Sequence, residues 1–95
     1  MPWFRCFIEG QNFPGSLIDE KGPIGFYTTR FVEAESAIEA EKTALMALKS
    51  EEALQLPTGE GRPVNAKIFF EEIEQVDVAD VPKTKPGFTF FVMGT

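Results

Sequence analysis

The sequence contains no histidine, and this absence removes several kinds of chemistry at once. Histidine is the usual general base near neutral pH and the most common protein ligand for metals. Without it, Ser–His and Cys–His nucleophilic pairs cannot form, and the single cysteine, Cys6, cannot complete a zinc site by itself. One cysteine also allows no disulfide within the chain. We therefore expect a protein that is not an enzyme and that uses no metal or other cofactor.

Basic residues are scarce, because nine Lys and Arg stand against fifteen Asp and Glu, for a formal charge of −6. Affinity for nucleic acid and for anionic membrane surfaces comes chiefly from Lys and Arg. No apolar run approaches the roughly 18 residues of a membrane-spanning helix, and residues 1–9 lack the pattern of a secretory signal. We expect a cytoplasmic protein that binds neither nucleic acid directly nor membranes.

Phenylalanine, in contrast, is abundant, with ten copies in 95 residues. A chain of this length supports only one hydrophobic core, so we expect residues 1–95 to form a single domain. Each buried aromatic ring removes about 150–250 Å² from water. Ten such rings imply either a dense core or an apolar surface that a partner covers.

One amphipathic helix is the clearest element. Ser36 followed by Glu39 forms the pattern of a capping box, which predicts a helix that begins at Ala37. At about 100° per residue, one stripe carries Ala37, Ala40, Ala44, Ala47 and Leu48, with Ile38 and Leu45 at its margins. These small side chains allow the helix to lie close to a sheet, whose own side chains must then fill the interface.

Alternating residues predict four strands, at 3–9, 25–34, 64–70 and 88–93. The third continues towards Val76 through a slip in the alternation that indicates a bulge. Residues 16–18 could add one short strand. We predict an α+β fold with a four-stranded mixed or antiparallel sheet in the order β-β-α-β-β, one helix on one face, and parallel strands on either side of the helix in the chain.

Sorting the strand residues by side gives two faces of different character. We expect the helix to cover a core face formed by Phe4, Cys6, Ile8, Phe26, Val32, Ala66, Ile68, Phe70, Phe88, Phe90 and Val92. The opposite surface, called the open face below, comprises Trp3, Arg5, Phe7, Tyr27, Thr29, Phe31, Lys67, Phe69, Phe91 and Met93. Aromatic residues, Met and Arg are typical of interface cores, and the chain has no second helix to bury this set.

From this uncovered surface we predict a protein-interaction module that forms a homodimer through the open face across a two-fold axis, with another protein as a further partner. In one alternative, segments 10–23 and 79–87 fold back over the face, with Phe13 and Leu17 as plugs. In another, the face binds a small ligand, which stacks on aromatic rings while Arg5 or Lys67 holds its acidic group.

The remaining chemically suggestive residues favour structural roles. Cys6 lies among apolar neighbours, where a free cysteine behaves as a small hydrophobe. The acidic residues from Glu71 to Asp80 lack the spacing of a calcium loop and fit a solvated strand edge. Residues 58–63 contain Gly-x-Gly without a flanking strand and helix, which is typical of a flexible loop. Arg30 falls on the core face, which indicates either a buried pair with Glu41 or Glu33 or a twisted end of the strand.

The strand that leads into Val-Glu-Ala-Glu-Ser-Ala-Ile-Glu-Ala-Glu, residues 32–41, resembles the unit of a strand and a capped helix in several small bacterial families. Among them are antitoxin domains of the HicB type and small proteins of unknown function. The resemblance covers about a fifth of the chain. It implies a toxin as protein partner and carries over no catalytic residue, and the chain shows no appended DNA-binding segment.

Overall fold

A computed structural model describes residues 1–51, 54, 66–84 and 87–93 of the chain. Its strands are β1 (Trp3–Phe13), β2 (Ile24–Glu33), β3 (Lys67–Val76) and β4 (Phe88–Val92), and its helix is α1 (Ala37–Lys49). They form one sheet in the order β3-β1-β2-β4, in which all neighbours are antiparallel. The α+β prediction, with one helix and four strands, is therefore confirmed.

The helix connects β2 to β3, and these two strands run in the same direction because both are antiparallel to β1. This agrees with the predicted crossover, except that β1 lies between the two parallel strands. The predicted start of the third strand at residue 64 and the predicted loop at 58–63 lie outside the described residues.

The optional short strand at residues 16–18 is not formed. Gly15–Ile18 is a 3₁₀ turn, closed by a hydrogen bond from the Leu17 amide to the Pro14 carbonyl and another from Glu20 to Gly15. Gly15 is packed against backbone, because a Cβ at this position would lie 2.2 Å from the Gly22 carbonyl oxygen. The compact turn directs Leu17 and Ile18 onto the core, which an extended strand would not do.

The helix begins and caps as the sequence predicts. Ser36 has an extended backbone, and its hydroxyl oxygen accepts a hydrogen bond from the Glu39 amide at 3.3 Å. Only Ala40, Ala44 and Leu48 of the predicted stripe are buried. Ala37 and Ala47 are exposed, and Ile38 is 68% exposed. A helix of 13 residues therefore contacts the sheet along a single narrow line of i, i+4 positions.

A β-bulge on β3 confirms the predicted slip. Ile8 pairs with Phe70 and Phe7 pairs with Glu72, so Glu71 is the extra residue. Beyond the bulge, Ile73 lies opposite Cys6 on the core face, while Glu72 and Glu74 lie opposite Phe7 and Arg5 on the open face. The bulge thus returns an apolar residue, Ile73, to the core face of the strand after Phe70.

The core is an aromatic cluster around Phe26, which is fully buried. The Phe26 ring makes edge contacts with Phe13, Phe88 and Phe90 at centroid distances of 5.1, 5.2 and 6.1 Å. The predicted core face is otherwise buried or half-buried, with one correction. Val92 is 52% exposed, because it lies on β4 at the outer edge of the sheet, where the strand has a neighbour on one side only.

Phe26 also requires a glycine beside it. Gly10 is its partner across β1 and β2, and a Cβ on Gly10 would lie 2.0 Å from a carbon of the Phe26 ring. Gly25 and Phe91 repeat this arrangement on the other face, where the Cβ would lie 2.3 Å from the ring. In both pairs the aromatic ring covers the backbone of the glycine.

We predict that Gly10→Ala lowers the free energy of unfolding by about 2 kcal/mol, within the usual range for overpacking a core, because the Phe26 ring has no room to move away. The measurement is urea denaturation. Gly22→Ala is the matched control, since a Cβ there has no heavy atom within 4 Å, and it should change stability by less than about 0.5 kcal/mol. Equal effects of the two substitutions would contradict this account of the core.

Candidate functional site

The strand register brings all ten residues of the open face to one side of the sheet. On β1, Trp3, Arg5 and Phe7 alternate with the buried core residues. Their partners on β2 are Glu33, Phe31 and Thr29, and Tyr27 lies opposite Glu9. On the outer strands, Lys67 and Phe69 lie opposite Gln11 and Glu9, and Phe91 lies opposite Gly25. Met93 follows Phe91 by two residues and therefore shares its side.

Three rings form a stacked row across the open face. Phe7 and Tyr27 are nearly parallel, with centroids 5.6 Å apart and an interplanar angle of 4°. Tyr27 also stacks on Phe91 at 5.2 Å. Tyr27 and the neighbouring Phe69 are 39% and 40% exposed. The row is thus preorganised by its own contacts while part of its apolar surface remains in contact with water.

The segment at 10–23 does not cover this surface. Phe13 is buried against Phe26 on the core side, and Leu17 and Ile18 pack against the same cluster. The proposed plugs therefore belong to the core. Val81, Pro82, Lys83 and Thr84, from the other proposed covering segment, line a cleft at the edge of the sheet.

Arg5 is engaged in ion pairs with Glu72 and Glu74, the latter at 3.1 Å. The hydrogen bond to Glu74, with the charges of both carboxylates, raises the pKa of the guanidinium. The bulge on β3 brings these carboxylates to the open face. In the sequence analysis, these acidic residues are assigned to a solvated strand edge, and their ion pairs with Arg5 are not predicted. The signal for the pairs is the slip in alternation on β3, because the bulge there turns Glu72 and Glu74 to the side of Arg5.

A second acidic contact adjoins the aromatic row. The hydrogen bond that the protonated carboxyl group of Glu71, the extra residue of the bulge, donates to Glu9 is the main cause that raises the pKa of Glu71. Two carboxyl groups in contact favour the protonated form of one of them. The open face therefore carries a carboxyl group that releases its proton at a higher pH than an isolated glutamate.

The cleft lies where β2 extends past β4. Strand β4 pairs with β2 only from Ile24 to Thr28, so residues 30–32 lack a neighbouring strand on that side among the described residues. The cleft has a volume of about 530 Å³ and is lined by Trp3, Arg30, Phe31, Val32, Ala47, Ser50, Glu51, Val81, Pro82, Lys83 and Thr84. Two residues of the open face, Trp3 and Phe31, thus also border this cleft.

The pairing of Arg30 with Glu41 or Glu33, one of the two alternatives that the sequence left open, is wrong. The Nη1 atom of Arg30 donates to the Glu51 carboxylate at 2.9 Å, and both side chains are buried. Glu51 lies just after the end of α1, whereas in the sequence analysis only glutamates of β2 and the helix are considered as partners. The signal for a special position was the arginine itself, because it places a charge on the face of β2 that also carries Phe26 and Val32.

The described residues contain no cluster of three or more ligands that could hold a metal ion. None of their helices is long and apolar enough to cross a membrane. Comparison of the chain with protein-family models, with curated proteins and with solved structures finds no match.

Cys6 is fully buried between Phe4 and Ile8 on β1. Burial, with a smaller contribution from the charge of Glu41, raises the pKa of its thiol to about 11. Since the thiolate is the reactive form, this environment suppresses its chemistry.

We predict that a thiol reagent such as 5,5′-dithiobis(2-nitrobenzoate) modifies Cys6 at neutral pH only after the chain unfolds. Because the folded thiol keeps its proton to higher pH than the unfolded one, the free energy of unfolding should fall between about pH 9 and about pH 11. Cys6→Ala should abolish this pH dependence, whereas rapid labelling of the native chain would contradict the prediction.

Proposed function

We propose that the chain is a non-enzymatic protein-interaction module that forms a homodimer through the open face of its sheet. The observation that supports this is the stacked row of Phe7, Tyr27 and Phe91 on the side of the sheet opposite the helix. Contiguous apolar surface of this kind usually marks a site of interaction. A second copy of the chain is the occupant that best fits the size and the charges of the face.

The size is that of a stable interface. The four strands have 11, 10, 10 and 5 residues. At about 3.4 Å per residue and about 4.8 Å per strand, their projected area is roughly 590 Å². The accessible area of a corrugated surface exceeds its projection, and specific interfaces bury about 800 Å² per partner. Two such faces, packed about 10 Å apart, would form a sandwich.

The charges favour one orientation of the two-fold axis. Glu72 and Glu74 lie on β3, at one edge of the open face, and the exposed Lys83 borders the cleft at the other edge, beside Trp3 and Phe31. An axis parallel to the strands would lay β3 of one copy over the opposite edge of its partner. This orientation brings acidic residues towards Lys83, whereas an axis perpendicular to the strands would lay β3 over β3.

We predict that the native chain sediments as a dimer and that Phe69→Glu weakens its association by about 100-fold or more, because it buries a charge in the interface. Sedimentation equilibrium is the measurement. Met46→Glu is the matched control, since Met46 is exposed on the helix, away from the open face, and it should remain dimeric. The far-ultraviolet circular dichroism of both variants should remain native.

A native chain that is monomeric at high micromolar concentration would overturn the dimer proposal. So would a Met46→Glu variant that dissociates as readily as Phe69→Glu, because the interface would then include the helix.

The proposal also predicts a dependence on pH. The raised pKa of Glu71 means that it is more often protonated in mild acid and adds a negative charge to each open face as the pH rises. Because the chain already carries a formal charge of −6, this added charge should raise the dimer dissociation constant as the pH rises from mild acid towards neutral.

Glu71→Gln should remove this difference, and so should high salt, which screens exposed charges. Glu35→Gln, which changes the net charge equally but lies outside the open face, is the control and should retain it. A dissociation constant that does not change with pH in the native chain would contradict a role of Glu71 in the interface.

A further inference from the structure

Arg30 is held by two contacts inside the molecule. Its side chain is 7% exposed, its Nη1 atom donates to Glu51, and its guanidinium carbon lies 4.8 Å from the centre of the Phe88 ring. One edge and one face of the guanidinium are thereby fixed. These two contacts hold the side chain in one orientation and therefore also fix the direction of the remaining edge of the guanidinium.

That remaining edge carries Nε and Nη2. Both atoms are buried, and within the part of the chain that the structure describes neither has a hydrogen-bond partner. Buried polar groups are nearly always paired in folded proteins. An arginine with two unpaired donors is therefore a strong indication that a group absent from the chain itself completes the site.

The two unpaired donors are adjacent, and they form the fork with which arginine binds a carboxylate through two parallel hydrogen bonds. Arg30 lines the cleft of about 530 Å³, a volume within the range of small-molecule sites. Both nitrogens are shielded from water, so binding requires a rearrangement of side chains at the rim, where Lys83 and Thr84 are exposed.

The other residues of the cleft limit the ligand. Among the described residues that line the cleft, Arg30 and Lys83 carry positive charges and Glu51 a negative one. A net positive charge of one suits a monoanion, and Glu51 would repel the second charge of a phosphate. Trp3, Phe31, Val32, Val81 and Pro82 supply apolar walls. We propose that the cleft binds a small monocarboxylate with an apolar or aromatic body, whose carboxylate engages Nε and Nη2 of Arg30.

The residue that would bind the carboxylate, Arg30, is not part of the proposed dimer interface, because it lies on the core side of β2. It also differs from the ligand arrangement that the sequence suggested, in which Arg5 or Lys67 held the acidic group. Trp3 and Phe31 remain common to both.

Trp3 is the only tryptophan and lines the cleft, so its fluorescence can report binding. We expect phenylacetate to produce a saturable change in emission with a dissociation constant of about 1 mM or less.

The neutral isostere 2-phenylacetamide should bind at least tenfold more weakly. Arg30→Lys keeps the charge but removes the fork, so it should weaken phenylacetate binding at least tenfold. Arg5→Lys is the control, because it makes the same exchange at an ion-paired position of the sheet, and it should weaken binding less than twofold.

Ala47→Leu provides an independent test should Arg30→Lys fail to fold. Ala47 is an exposed helix position in the wall of the cleft, so leucine should leave the fold intact while it fills the cleft and abolishes the fluorescence change. The proposal is overturned if phenylacetate gives no saturation, if the amide binds equally well, or if Ala47→Leu binds normally. Saturation by inorganic phosphate in place of phenylacetate would overturn the carboxylate assignment.

Discussion

The fold depends on the contact between the Phe26 ring and the backbone of Gly10 across β1 and β2. Because side chains alternate along a strand, a slip of one residue between β1 and β2 would turn the core residues of one strand towards the open face. The glycine admits the ring at a single register, and Phe13, Phe88 and Phe90 then close around it. This one contact therefore decides which residues enter the core and which remain on the open face.

Much of the fold could be predicted because its signals are local. Alternation located the four strands, Ser36 and Glu39 located the helix start, and the slip at Glu71 indicated the bulge. The 3₁₀ turn after β1 could not be predicted, since it depends on packing of Gly15 against a distant part of the same loop. The strand order with β1 in the interior is also a tertiary property, which no single segment encodes.

The candidate sites show the same division. Period-two alternation was enough to place the residues of the open face on one side, because it requires only the local pleat. The ion pairs of Arg5 with Glu72 and Glu74, and of Arg30 with Glu51, join residues far apart in the sequence. Their recognition requires the pairing of β1 with β3 and the path of the chain after the helix. The cleft, which arises because β4 is short, was accordingly not anticipated.

The two outer strands of the sheet have a further consequence for how copies of this chain can meet. Strand β3 is bulged and carries three glutamates near the bulge, and β4 has only five residues. Both features discourage the continuous hydrogen bonding of one sheet edge to another. In the proposed homodimer, contacts between molecules would instead use the aromatic surface, where two-fold pairing closes on itself. Such a molecule could expose apolar surface with little tendency to form fibres, since pairing is disfavoured at both outer strands.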